Sequence, residues 1–464
     1  MKFAVTTDVL NICQRVSAAG GRALLVGGRV RDALLGHPSK DHDIEVYNLD
    51  PERLLSLLQE IGRVDTVGES FTVYKVTIKN AEDNTRTEVD VSIPRRESKT
   101  GHGHRGFTIV GDPTMTFEEA ARRRDFTINA ILYDPLTDEI IDPFDGARDL
   151  QRRILRVVDP STFVEDSLRV LRAMQFAARF HLSIAPATVA LCREINLSDL
   201  PSERIWGEFE KLLLLSEHPS IGLEAALDLG IITKLFPQFA PMVGCPQESE
   251  WHPEGDVWIH TRLVLDQAAK LSRDLPKEKR LTVLLAALCH DLGKPPTTAV
   301  IDGRIRSMGH DQAGIAPTTA LLDTLNIHTI NGYDVRSQVL ELVLHHLLPG
   351  QFHREKDNIS DGAFRRLARK CDLDLLYRVA KADSTARTSV YSEASETDWF
   401  IARARELDVH HAPPSALLMG RHLIELGVSP GPQMGRILDA VYELQLDGKV
   451  KTIDEAIQAA RQLT

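Results

Sequence analysis

Residues 25–48 read LVGGRVRDALLGHPSKDHDIEVYN, and this stretch decides the fold of the front of the chain. An apolar run at 23–26 enters the pair Gly27-Gly28. An amphipathic helix carrying Arg31 and Asp32 follows, and a second strand opens with Asp41 and Asp43. Alternation along a strand puts i and i+2 on one face, so the two acids share a side. Carboxylates held together repel unless a cation lies between them. Hard divalent cations want oxygen ligands, and a pair of Mg2+ ions on phosphate is the usual answer. Paired glycines let backbone N–H groups approach a polyphosphate closely. Either motif alone is weak. Their order (strand, GG, helix, strand-borne D-x-D) points to nucleotidyl transfer.

The 464 residues are enough for three or four domains, and 43% hydrophobic content can bury several cores. No run of about 18 apolar residues predicts a membrane span. The start, MKFAVTTDVLNICQRV, lacks the apolar region of a signal peptide. Cys13, Cys192, Cys245, Cys289 and Cys371 are scattered without a C-x-x-C, which fits a reducing cytoplasm and buried thiols. The net charge of −11 argues against nucleic-acid binding by the whole surface. Local basic runs at 95–105, 122–124 and 152–156 leave room for a cationic track, or for solvated faces.

Residues 1–150 mix β-rich runs (23–26, 44–47, 72–78, 88–93, 130–133) with helical segments, as in an α/β or α+β head. Residues 97–115 are polar and Gly-rich and read as a long mobile loop. Beyond about 149 the β signal nearly vanishes. Segments such as FVEDSLRVLRAMQFAARF and ERIWGEFEKLLLL carry apolar residues at i, i+3, i+4 and i+7, so the remainder reads as mostly helical. Prolines and acids at 245–256, and Pro413-Pro414 within 409–415, mark seams.

GGRVRD with KDHD, followed by RRRDFTINAILYD, closely resembles the bacterial tRNA nucleotidyltransferase and poly(A) polymerase family through residues 20–240. The resemblance implies an α+β fold: a polymerase-beta-like head, with a small mixed sheet and helices, ahead of an all-α body. It implies that Asp41 and Asp43 hold Mg2+, with Asp90 of TEVDVSIPR as a third carboxylate on the neighbouring strand. Gly27, Gly28 and Arg31 would belong to the nucleotide site. So would Arg124, Asp125 and Asn129 of RRDFTINA, the segment the family uses for sugar and triphosphate. Asp125 and Asn129 are i and i+4, neighbours if this segment is helix; Asp125 also reads as a helix N-cap. EDSLR (165–169) resembles the base-reading motif. Asp166 and Arg169, i and i+3 on one helix, would read the donor amine and acceptor ring nitrogen that cytosine and adenine share. Their bland reading is a surface ion pair worth a few tenths of a kcal/mol. Arg172 would reach phosphate. Gln175 stands where the family often has Arg. In ERIWGEFEKLL, Arg204 and Lys211 are candidates for RNA backbone contacts.

The region 250–385 holds most of the histidines. Adjacent His290-Asp291, with His260 upstream and Asp383 downstream, resembles the HD phosphohydrolase family. The resemblance implies a metal centre on His260, His290, Asp291 and Asp383. His310 and His345 or His346 would complete a second metal or bind phosphate. Imidazole with carboxylate suits Mn2+, Ni2+ or Co2+ better than Mg2+.

The expected domains are 1–150 (nucleotidyltransferase head), 151–244 (helical, base-reading and tRNA-binding), 245–408 (HD-like) and 409–464 (a small helical tail). The expected activity is template-independent addition of CCA to tRNA from CTP and ATP, beside a phosphatase or 2′,3′-cyclic phosphodiesterase. The rivals are an enzyme adding only CC or only A, a poly(A) polymerase, and a phosphohydrolase whose head only binds tRNA. The oligomeric state is left open.

Overall fold

Alternating burial along short strands builds the front of the chain. β1 (Arg22–Val26), β2 (Asp43–Tyr47), β3 (Arg63–Val67), β4 (Val73–Lys79), β5 (Arg86–Ser92), β8 (Leu132–Asp134) and β9 (Glu139–Ile141) form one mixed sheet in the order β3-β4-β5-β2-β1-β8-β9. β2 and β5 run parallel; the other neighbours are antiparallel. The computed structural model describes residues 3–37, 42–67, 73–79, 85–99, 107–387 and 395–463.

The period of two assigns each face. Ile44 and Val46 join Val89 and Val91 in a core covered by α1 (Thr7–Ala18) and α3 (Pro51–Ile61). Tyr47 points to the other face and packs with Leu24, Val26, Met115 and Leu132. α3 starts where Asp50 accepts from the Glu52 N–H and Pro51 fills a first-turn position whose donor is not needed. Between α1 and α3 lies α2 (Gly28–Leu34); α4 (Phe117–Arg122) begins with a capping box of Thr116 and Glu119.

Two sequence expectations change here. The stretch read as a loop at 97–115 is partly paired: β6 (Arg95–Lys99) and β7 (Phe107–Gly111) form an antiparallel hairpin. Its polar, Gly-rich composition hid the strands because a two-stranded ribbon needs no buried face. Strand β3 was also missed. Its sequence RVDTV alternates charge with valine and carries little apolar signal.

The chain divides into two compact units, 1–204 with 224–231, and 205–223 with 232–464. In the second, Val257–Leu271, Lys277–Cys289, Val335–His345 and Leu373–Ala386 are the principal helices. Leu281 through Cys289 are all buried, so beyond its first turn Lys277–Cys289 is enclosed on every side. Burying each large aliphatic there stabilises the unit by about 1.5–3 kcal/mol. The tail helices Gly420–Glu425, Pro432–Leu446 and Ile453–Arg461 share a small core of Leu418, Leu423, Ile437, Val441 and Ala456. Among the described residues no helix is long and apolar enough to cross a membrane. All five cysteines are free and buried.

Candidate functional site

The first candidate site lies on the sheet face opposite α1 and α3. Asp43 of β2 and Asp90 of β5 are register partners across the parallel pair. Parallel partners point the same way, so both carboxylates stand on one face, half-buried. Asp41 lies outside the described residues. Two positions along β2 the same face carries Glu45, which sequence reasoning overlooked. Its Oε2 accepts from the Tyr47 hydroxyl at 2.6 Å and lies 3.7 Å from Arg124 Nη2. Glu45 was legible as a third member of the alternation Asp41, Asp43, Glu45.

Gly27 ends β1 with φ 66°, a conformation that favours glycine, and turns the chain into α2. A Cβ there would sit 3.1 Å from Arg124 Nη1. The missing side chain thus admits Arg124 beside the turn.

Behind this face runs a buried polar chain. Arg31 bonds Asp32 Oδ1 through Nε at 2.9 Å and Nη2 at 2.6 Å, and Asn129 Oδ1 through Nη1 at 2.7 Å. Its guanidinium also lies 4.2 Å from the Phe180 ring centroid. Asn129 Nδ2 donates to Asp125 Oδ1 at 2.9 Å, and Arg172 Nε pairs with Asp125 Oδ2 at 2.7 Å. Burial alone would raise the Asp125 carboxyl. Arg172 and the donors Asn129 and the Phe126 N–H hold it below the usual range instead. Arg31, expected at the nucleotide, is 4% exposed and internally committed. Arg172, expected at phosphate, is held by Asp125.

Asp125 and Asn129 do meet, but not as i and i+4 of an α-helix. Thr127–Asn129 is a single 3-10 turn, and Asp125 accepts from the next residue rather than capping it. Asp166 likewise precedes its helix, which runs Leu168–Phe180. Its carboxylate accepts from the Leu168 N–H at 3.2 Å, and this local bond is what starts the helix late. Asp166 Oδ2 pairs with Arg204 at 3.2 Å. Arg169 donates to the carbonyls of Thr162 at 2.7 Å and Arg123 at 2.8 Å. Lys211 pairs with Glu208. Within the basic runs at 122–124 and 152–156, Arg122 pairs with Glu118 and Asp159, and Arg156 with Asp149.

The second candidate site lies within the second unit. His290 and Asp291 follow the enclosed helix, His260 comes from Val257–Leu271 and Asp383 from Leu373–Ala386. A cavity of about 210 Å3 reaches Asp291 and Asp383 and is also lined by Gln247, Trp251, His252, Lys294, His310, His346 and Arg387. The Nδ1 atoms of His290, His310 and His346 each donate to a backbone carbonyl three residues back, those of Ala287, Ser307 and Val343, all at 2.7 Å. That commits each Nδ1 and leaves each Nε2 facing inward. His310 Nε2 faces His346 Nε2 at 3.3 Å. His290 Nε2 lies 3.1 Å from Asp291 Oδ2, His260 Nε2 3.1 Å from Asp383 Oδ1, and His310 Nε2 3.5 Å from Asp291 Oδ1.

His290 Nε2 and both Asp291 oxygens are buried without an aligned hydrogen bond, although Lys294 Nζ stands 2.8 Å from Asp291 Oδ2. Acceptors converging on one another in this way fit cations. Among the described residues the potential ligand atoms fall into three groups: His260-His290-Asp291 and Asp291-His310-His346, which share Asp291, and His252-Glu254-His260, which joins the first through His260.

The electrostatics agree. Burial would raise the Asp291 and Asp383 carboxyls. His290 and Lys294 bring the first well below its usual range, and Arg387 and His260 the second. Burial and then the neighbouring histidines push His346 down to about 3, so it is neutral. Of the adjacent pair, His346 is the inward one. His345 turns away to Glu341 at 3.2 Å. The seam expected at 245–256 is a wall of the cavity.

Similarity to known proteins follows the same division. The model of the poly A polymerase head domain matches residues 23–156, that of the probable RNA and SrmB-binding site of polymerase A matches 181–243, and the HD domain model matches 257–388. A protein of Xanthomonas campestris pv. campestris called Multifunctional CCA protein is 36% identical over 428 residues, covering 89% of this chain and 95% of the relative. The chain belongs to the multifunctional CCA protein family. The relative of that name from Mannheimia succiniciproducens is 41% identical over 313 residues, covering 66% of this chain and 70% of its own.

Solved structures share the fold. The Thermotoga maritima CCA-adding enzyme complexed with tRNA has a TM-score of 0.59 at 18% identity, covering 99% of this chain and 96% of that one. The Bacillus stearothermophilus CCA-adding enzyme in complex with CTP has a TM-score of 0.60 at 20% identity, covering 99% of both chains. Domains of the head and HD types generally use divalent metals, and each candidate site brings together carboxylates or imidazoles suited to them.

Proposed function

We propose that this chain is a tRNA nucleotidyltransferase that adds CCA to tRNA 3′ ends from CTP and ATP without a nucleic-acid template. The observation that carries the reading is the register pairing of Asp43 with Asp90 beside the Gly27 turn and Arg124. Asp43 and Asp90, with Asp41, would hold Mg2+. Held by these carboxylates, Mg2+ would supply acidification of a 3′-hydroxyl and charge stabilisation for a leaving pyrophosphate. Arg124 offers its planar guanidinium to the triphosphate. The primer oxygen attacks the α-phosphorus in line, and the bond to pyrophosphate breaks.

Asp125 and Asn129 would supply the sugar contact, Asp125 being held by Arg172 and Asn129 by Arg31. Asp166 and Arg169 read the base. Arg169 is held by two carbonyls, so its position is set before the nucleotide arrives, whereas Asp166 must exchange Arg204 for the base amine. The domain limits proposed are those at 150, 244 and 408, in a cytoplasmic setting that suits five free thiols.

A second activity rests on a separate observation, the convergence of inward Nε2 atoms on Asp291 beside Lys294 and Arg387. Cations on the cavity wall suit a phosphate ester, and the imidazole-rich donor set suits Mn2+, Ni2+ or Co2+. This supports a metal-dependent phosphohydrolase, with tRNA 3′-end phosphates as the fitting substrate. Asp43→Ala tests the division. It should lower nucleotide addition about a thousandfold or more and spare phosphatase activity. Loss of both together would refute two separate sites.

A further inference from the structure

The HD domain model begins at residue 257, yet part of the second centre comes from the segment just before it. Glu254 Oε1 lies 2.8 Å from His260 Nδ1 and 2.9 Å from His252 Nδ1, and its side chain is 2% exposed. The His252 and His260 rings stand edge to face, 4.6 Å between centroids. Asp383 and Asp291 lie on the opposite, Nε2, edge of His260. Glu254 is therefore placed behind the ring rather than among the groups that converge in front of it.

The other inward histidines each give their Nδ1 proton to a backbone carbonyl three residues back. His260 does not copy them: the residue three back, Val257, lies inside the same helix, Val257–Leu271, so its carbonyl belongs to the helical ladder, whereas Ser307 lies ahead of the helix of His310. A side chain has to supply its acceptor. The short segment His252-Pro253-Glu254 delivers one and leaves His252 on the cavity wall.

We propose that Glu254 is a positioning residue of the second centre, holding His260 in the tautomer that directs Nε2 at the metal, with His252 bracing the carboxylate. This rests on the reading of that centre as metal-binding. A carboxylate behind a ligating imidazole fixes ring orientation and raises ligand basicity, and losing such a partner typically costs about 10–100-fold in metal affinity.

The test uses the full chain, stripped of metal and titrated with Co2+ in excess Mg2+. Visible absorption is recorded, and the signal of His290→Ala is subtracted so that only the second centre is counted. Glu254→Ala should weaken Co2+ binding about tenfold or more and change the band shape. Glu254→Gln, which keeps an acceptor, should recover most of the affinity. Nucleotide addition to tRNA by both variants should stay at the wild-type level, showing that the chain is folded. Wild-type affinity and spectrum in Glu254→Ala would overturn the proposal while leaving the centre intact. Equal loss in Glu254→Ala and Glu254→Gln would overturn it too, since a lost acceptor would not be the cause. Absence of His290-dependent Co2+ binding in the wild-type chain would remove the centre itself, and the proposal with it.

Discussion

Asn129 joins two buried ion pairs with one amide, accepting from Arg31 and donating to Asp125. A group with both functions is needed there, so Asn129→Asp should fail as well as Asn129→Ala, because aspartate would face the Asp125 carboxylate. Arg172→Met tests the neighbouring link. It leaves Asp125 buried with less compensation, at a cost of about 1–3 kcal/mol. Because Asp125 is depressed in the folded chain, the stabilisation Arg172 supplies is present above about pH 4 and fades as pH falls through the folded value. The gap between wild type and Arg172→Met in urea unfolding should therefore shrink in acid. A constant gap would contradict the pairing. In the second unit, His346→Ala should lower the Co2+ bound at the group Asp291-His310-His346, whereas His345→Ala should leave the titration unchanged. The sequence HH could not choose between them. The choice follows from helix phase, with His346 at 2% exposure turned inward.

Gly293 shows how closely elements meet around the second centre. A Cβ there would lie 1.9 Å from the His310 carbonyl oxygen and 2.5 Å from the Gly314 N. Gly293→Ala should force the short helix His310–Ala313 away, costing about 1–3 kcal/mol and lowering Co2+ affinity. Unchanged affinity would mean that His310 is not a ligand. At this scale the sequence was informative where burial is periodic. β2, β4 and β5 alternate buried with more exposed residues, and β1 is a continuous apolar run divided between two cores, so their runs stand out. β3 and the β6–β7 hairpin do not, because charged edge strands look like loops. The helix carrying Arg169 was legible from its apolar stripe, but its start was not, because Asp166 bonds the backbone locally instead of extending the turn. The segment 245–256 reads as a seam because proline and acids interrupt helices, and its residues also supply a wall of the cavity, which the sequence did not show.

Across the whole molecule, the two units carry separate chemistry. The carboxylate face lies in the first and the imidazole cluster in the second. All four tryptophans, at 206, 251, 258 and 399, belong to the second unit. Their emission therefore follows that unit alone. Metal binding stabilises the folded form by mass action, by about 2.7 kcal/mol at a hundredfold excess over Kd. Co2+ added with excess Mg2+ should raise the Tm read from tryptophan in the wild type and not in His290→Ala. An equal shift in both would place the bound ion elsewhere.

The central claim is that the first unit selects cytidine and adenosine nucleotides in sequence and stops. The most direct measurement supplies the full chain with tRNA ending at the discriminator nucleotide, with labelled CTP alone, ATP alone, and both, and reads product length at single-nucleotide resolution. The account predicts two added nucleotides with CTP, three with both, and no extended product with ATP alone. Long adenosine runs with ATP alone would contradict it.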